Sequence, residues 1–149
     1  MYPVRKALPY HGNPHLARNH SADIPDTENC SVFVKNLSPT LDTNQLLSLI
    51  RGVGKVWNTS IQPPNDRYPI CGAKVTFCYV RSKRRMFLRV WAGDLDVAGC
   101  FPTIVPNRIK VPAQGAAVSR VVRVTGPADI VKQDKILEFL ASRFFFDPD

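Results

Sequence analysis

Residues 31–37, Ser-Val-Phe-Val-Lys-Asn-Leu, alternate in type and are rich in β-branched and aromatic side chains, the pattern of a half-buried strand. Ser38, Pro39 and Thr40 read as a turn, Asp42 or Thr43 offers a helix N-cap, and Leu46, Leu47, Leu49, Ile50 and Val53 recur at helical spacing until Gly52 and Gly54 stop the helix. A second strand is expected over 55–61, followed by a loop dense in turn formers, Pro-Pro-Asn-Asp-Arg-Tyr-Pro, and a third strand over 70–79. Residues 81–91 predict a second helix with Met86, Phe87, Val90 and Trp91 on one face and Arg81, Lys83, Arg84, Arg85 and Arg89 around the rest. Ala92-Gly93-Asp94 breaks it, Pro102 and Pro106 mark a loop, and 108–112 reads as a last strand. The order is βαββαβ within residues 30–114, an α+β ferredoxin-like sandwich: a four-stranded antiparallel sheet with two helices on one face.

The flanks differ in character. Residues 1–29 combine scattered Pro and Gly, polar amides and three histidines with few clustered aliphatics, and are expected to form a disordered tail. Residues 115–149 repeat the opening of the first unit, with a strand over 120–125, Gly126-Pro127, and a helix over 130–144 carrying Ile136, Leu137, Phe139 and Leu140. A strand and a helix cannot close a core by themselves. This extension is therefore read either as the start of a truncated second domain, with Arg123 at the place of Phe33, or as an appendage of the first. Three adjacent phenylalanines, Phe144, Phe145 and Phe146, favour truncation or a docking surface.

Charge sharpens the picture. The chain of 149 residues carries +8, and the segment 30–114 alone holds 12 Lys and Arg against 4 Asp and Glu, so the excess sits wholly in the predicted domain. Such a domain attracts a polyanion through counterion release. No apolar run is long enough for a bilayer span, and the N-terminus lacks the uninterrupted apolar stretch of a secretory signal, so an intracellular protein without membrane attachment is expected. Cys30, Cys71, Cys78 and Cys100 form no C-x-x-C pair and are expected to be reduced, half-buried thiols. With His11, His15 and His20 all in the tail, neither a metal site nor a cofactor is expected. The segment 30–114 contains no histidine, which leaves no Ser/His/Asp or Cys/His set and points away from an enzyme.

Val32-Phe33-Val34-Lys35-Asn36-Leu37 resembles, at every position, the six-residue first-strand motif of the RNA-recognition motif (RRM) family, aliphatic-aromatic-aliphatic-x-Asn-Leu. Residues 46–56, LLSLIRGVGKV, are similar to the family's first helix ending in Gly before an aliphatic strand residue. The eight-residue third-strand motif aligns with Ile70 to Phe77, where Ala73, Val75 and Phe77 agree at the core-facing positions while Gly72 and Lys74 stand where stacking aromatics are expected. The resemblance implies an open sheet face on which bases stack, with Phe33 as the remaining platform. Phe33 otherwise covers a bare sheet or docks a protein. A bulge in the second strand would decide whether Trp57 faces out as a second platform or lies at the edge.

Lys35, Lys74, Arg108 and Lys110 are candidates for phosphate contacts on or close to that face. Arg67 and Tyr68 in the loop before the third strand, and Asn107 and Gln114 around the last strand, are further candidates for nucleotide contact. The run Arg81-Ser82-Lys83-Arg84-Arg85 reads as a solvated helix face on the far side of the sheet, with RNA contact or nuclear import as rivals. The expected function is weak binding of single-stranded RNA by a monomeric, nuclear RNA-processing adaptor. The alternative is a protein-interaction module of the same fold within a ribonucleoprotein or splicing assembly.

Overall fold

β1, Ser31–Leu37, is the strand on which the rest is assembled. Its side chains alternate across the pleat, with Val32, Val34 and Leu37 fully buried and Lys35 exposed. The computed structural model describes residues 15–95, 99–115 and 124–143. After β1 come α1, Thr43–Leu49; β2, Val56–Gln62; β3, Cys71–Phe77; α2, Val80–Trp91; β4, Thr103–Pro106; and α3, Gln133–Arg143. The antiparallel sheet runs β2-β3-β1-β4, which places the two strands bearing the family-like motifs side by side at its centre.

α1 begins where the sequence places it. Asp42 accepts a hydrogen bond from the Gln45 backbone N–H at 2.7 Å while the Gln45 side chain accepts from the Asp42 N–H at 2.9 Å, a reciprocal capping box. Leu46 and Ile50 from the α1 turn, Met86 from α2, and Val32, Val34, Ala73, Val75 and Phe77 from the sheet form one core. Both helices thus cover the same face. Cys30, Cys71 and Cys78 are buried, Cys100 is half-buried, and all four are free thiols.

Three expectations are corrected. The last strand of the sheet is β4 at Thr103–Pro106, ahead of the expected 108–112, so Arg108 and Lys110 lie beyond it. β4 pairs with β1 at Val34↔Ile104 and Val32↔Pro106, and a proline is tolerated there because β4 is an edge strand and Pro106 its final residue. Second, α2 does not bury Trp91: Met86 reaches the core and Phe87 and Val90 pack partly against it, while Trp91 is 73% exposed. Lys83, expected on the solvated side, is buried instead.

The third correction concerns the segment ahead of β1. Residues 15–29 contain a short 3-10 turn at Ala17–Asn19 and bond to the chain that follows β4. The Ala22 N–H donates to Lys110 O at 3.0 Å and the Cys30 N–H to Val111 O at 2.8 Å. Asn29 is fully buried; its Oδ1 accepts from Ser31 N–H at 2.9 Å and Val111 N–H at 3.1 Å, and its Nδ2 donates to Asn107 O at 3.1 Å. Asp26 is clamped from two sides, its carbonyl by Lys83 Nζ at 2.6 Å and its carboxylate by Lys110 Nζ at 3.1 Å. The polar composition of this segment signalled no core, and its order comes instead from main-chain and amide bonds. The expected strand at 120–125 falls mostly outside the described residues, as do Phe144, Phe145 and Phe146. The helix expected over 130–144 is described as α3.

Candidate nucleic-acid interface

The sheet face opposite the helices is set by register. Phe33 lies opposite Lys74 on β3 and Val105 on β4, and Lys35 opposite Thr103. On β2, Asn58, Ser60 and Gln62 pair with Thr76, Lys74 and Gly72, so these residues share the outward face. Ser31 and Thr76 close one end of it, their hydroxyls 2.9 Å apart and both buried.

Gly72 explains how Phe33 is held. A Cβ built on Gly72 would lie 2.6 Å from Phe33 Cζ and 2.9 Å from Cε1, so the ring rests across the β3 main chain where a side chain would otherwise stand. The sequence marks Gly72 as an absent platform; the coordinates show that its bareness lets the β1 aromatic occupy the same ground. Phe33 and Gly72 form the floor of a cavity of about 380 Å³, bounded by Lys35, Gln62, Asn65 and Tyr68.

The wall of that cavity is a tight turn. Asn65 and Tyr68 exchange main-chain hydrogen bonds at 2.8 and 3.0 Å, and Asn65 Oδ1 accepts from the N–H groups of Arg67 and Tyr68, both at 3.0 Å. An Asx-type turn of this kind fixes the loop without burying it. It presents the Tyr68 ring, 52% exposed, with the Arg67 guanidinium 5.6 Å from its centroid. Asn36, at φ 60° beside the irregular register at the end of β1, donates from Nδ2 to Phe101 O at 2.8 Å and so ties the loop ahead of β4 to the β1 terminus.

Trp57 sits where β2 slips register against β3, between Val56 and Asn58. It is half-buried and lines a second cavity, of about 320 Å³, together with the outward residues Asn58, Lys74 and Thr76. The bulge therefore directs the indole toward the open face. The other walls of this cavity are Ala17 and residues 20–22 and 110–112.

The expected site residues divide. Phe33, Lys35, Gly72 and Lys74 come together, Trp57 joins from β2 by way of Lys74, and Lys110 borders the second cavity with its ammonium on Asp26 and on Ile24 O at 2.9 Å. Arg108 is exposed beyond β4, its carbonyl accepting from the Ser21 hydroxyl at 3.3 Å. The basic run on α2 lies on the helix-covered side, where Arg81 stands 4.7 Å over the Tyr79 ring. Sequence reasoning missed Asn58, Gln62 and Asn65, although alternation from Trp57 onward, once the bulge is allowed for, puts Asn58 and Gln62 on the outer face. It also missed His20, Ser21 and Ala22, for which no local signal exists. Among the described residues no group of three His, Cys, Asp or Glu side chains is placed to hold a metal ion.

Strand order and helix placement are those of a ferredoxin-like βαββαβ sandwich, and the β1 segment of that sandwich carries the motif that resembles the RRM family's. Solved structures similar to it are RRM domains. The N-terminal three RNA-binding domains of the yeast splicing factor Prp24 share 13% identity over 50% of this chain and 30% of that one, with a TM-score of 0.44. The Rna15 RRM with bound RNA (GU) shares 15% over 54% of this chain and 84% of its own, at 0.44. The RRM domain complex of PID-3 and TOFU-6 shares 11% over 54% and 87%, at 0.47. No family model matches the chain, and no curated protein matches it.

Proposed function

We propose that the open sheet face binds single-stranded RNA, with one base stacked on Phe33 and adjoining phosphates met by Lys35 and Lys74. The observation that supports it is the Phe33 ring lying over Gly72 at the floor of a cavity, on a domain holding 12 Lys and Arg against 4 Asp and Glu. An aromatic platform within a cationic groove serves single strands because every base has a π-face and every phosphate a charge. Each stack is worth about 1–3 kcal/mol, so a face with Phe33 in place of three platforms binds weakly. On this reading the chain is a monomeric, nuclear adaptor in RNA processing, working beside other ribonucleoprotein components, and it performs no catalytic step.

Titration of single-stranded RNA octamers at low salt, read on backbone amide resonances, tests it. Shifts are expected at Phe33 and Lys74, and Phe33→Ala is expected to weaken binding by roughly 5- to 150-fold, the worth of one stack. An unmoved sheet at low salt removes the proposal.

A second reading, a protein-interaction module, draws on α2. Leu88 and Trp91 are 63% and 73% exposed there, and Phe87 meets Trp91 edge-on at 5.5 Å, on the side of the domain away from the groove. A stoichiometric partner retained from nuclease-treated extract, lost with Trp91→Ser and kept with Phe33→Ala, would favour it.

A further inference from the structure

We propose that Ser21 is the phosphoacceptor of a basophilic serine kinase, and that its phosphate, set at the rim of the open sheet face, loosens the hold on RNA. The second half of this proposal rests on the RNA reading; the acceptor site itself does not.

Three observations meet at this hydroxyl. In the sequence, Ser21 follows Arg18 by three residues and Leu16 by five, and no other serine or threonine of the chain has an arginine three places before it. Kinases select substrates by such patterns, reading the arginine with carboxylates and the leucine with an apolar pocket. In the structure, Ser21 is exposed and Leu16 is 38% exposed, so both stand within reach of a second protein. Ser21 Oγ accepts from Lys110 N–H at 2.9 Å and donates to Arg108 O at 3.3 Å, both in solvent, where a hydrogen bond has little net worth. The firmer locks of the flank lie further along, at Asp26 and Asn29. Residues 16–21 therefore lift away at small cost while the rest of the flank stays docked. The third observation is place: Ser21 lines the same cavity of about 320 Å³ as His20, Lys74 and Lys110.

In the reaction, Ser21 Oγ attacks the γ-phosphorus of ATP; the O–P ester bond forms, the bond to the departing ADP oxygen breaks, and the hydroxyl proton passes to the kinase's carboxylate base. The product carries a charge of about −1.5 to −2 at pH 7. It gives up the bond to Arg108 O, and Lys110 N–H gains a charged acceptor in a phosphate oxygen. Across so small a space its field reaches Lys74 within about one Debye length, ~10 Å at 0.1 M salt. It thus competes with RNA for that ammonium and repels the RNA backbone.

The full chain is treated with Mg-ATP and a kinase that selects leucine and arginine at those two spacings, and the product is mapped by mass spectrometry. Phosphate is expected on Ser21, and to be lost with Arg18→Ala; a folded chain left unmodified at Ser21, while a free peptide of residues 14–26 is modified, overturns the site. The Lys110 amide resonance is expected to move on phosphorylation. Affinity for an RNA octamer is expected to fall roughly 3- to 5-fold at low salt and to recover part of that loss as salt rises. Ser21→Ala, which breaks the same two bonds without adding charge, is expected to leave affinity unchanged, and a loss equal to that of the phosphate would overturn the electrostatic effect. Phosphorylated chain that binds RNA as tightly as unmodified chain overturns the effect on RNA with the RNA reading intact. Unmodified chain that binds no RNA removes that reading and the effect with it, and the acceptor site is then decided by incorporation and the Lys110 shift.

Discussion

At the scale of single residues, Gly72 sets the outcome on the open face. Gly72→Ala would drive a methyl group to 2.6 Å from the Phe33 ring, so the ring must leave its seat, a cheap move for a side chain free on one side. RNA affinity is expected to fall roughly 5-fold or more, toward the loss of a whole stack, with the thermal midpoint nearly unchanged. In a Phe33→Ala background the same substitution is expected to add nothing, and additive losses in that double-mutant cycle would deny the coupling. Cys30 offers a second test. Burial pushes its thiol above the ordinary range, and burial pulls the Lys83 ammonium below its own. The folded chain keeps the Cys30 proton to higher pH than the unfolded chain, so this contribution to stability is present below about pH 9 and lost as pH climbs further, while Lys83 acts with the opposite slope up to about pH 10.5. Cys30→Ala isolates the thiol. Its urea midpoint relative to wild type is expected to rise between pH 9 and 10.5, and a constant difference would refute the linkage.

Among the elements, the segment leading into β1 behaves as part of the domain. Cutting the chain back to residues 30–114 would remove Asn29 and Asp26, leaving Ser31 N–H, Val111 N–H and Asn107 O without their partner and Lys83 without its acceptor. Each stranded buried group costs about 1–3 kcal/mol. The shortened fragment is expected to lose at least about 2 kcal/mol in urea denaturation, and equal stability would show the segment to be dispensable. Its importance was not legible in the sequence because main-chain and amide bonds to a distant segment leave no hydrophobic period. β1, α1, β2, β3 and α2 were legible, since alternation, helical spacing and the Asp42 cap are local signals. β4 was not: four residues, Thr103–Pro106, the last of them a proline, carry too short a pattern, while the alternation at 108–112 has its bonds in residues 21–30. Of the site, Phe33, Lys35 and Lys74 follow from strand parity alone. The Trp57 cavity depends on a bulge and on two flanks, neither of which parity can supply.

For the molecule as a whole, charge and its placement separate attraction from docking. Much of the basic excess, including Arg84 and Arg85, is carried by α2 on the helix-covered side and acts only at a distance. The salt dependence of RNA affinity is therefore expected to count few phosphates: about 0.7 per contact in the slope of log K against log salt, or about 1.4 for Lys35 and Lys74 together. Lys35→Ala is expected to flatten the slope by about 0.7, and a slope several times steeper would place the α2 arginines on the RNA. The ring of Phe33 and the missing side chain at position 72 have a further meaning. Two strands have ceded one patch of ground to a single aromatic group, so a side chain restored at the second position obliges the aromatic of the first to stand in another rotamer. Where both positions are filled, the two groups must share the ground side by side, and the ring seat seen here belongs to chains with glycine at the second position.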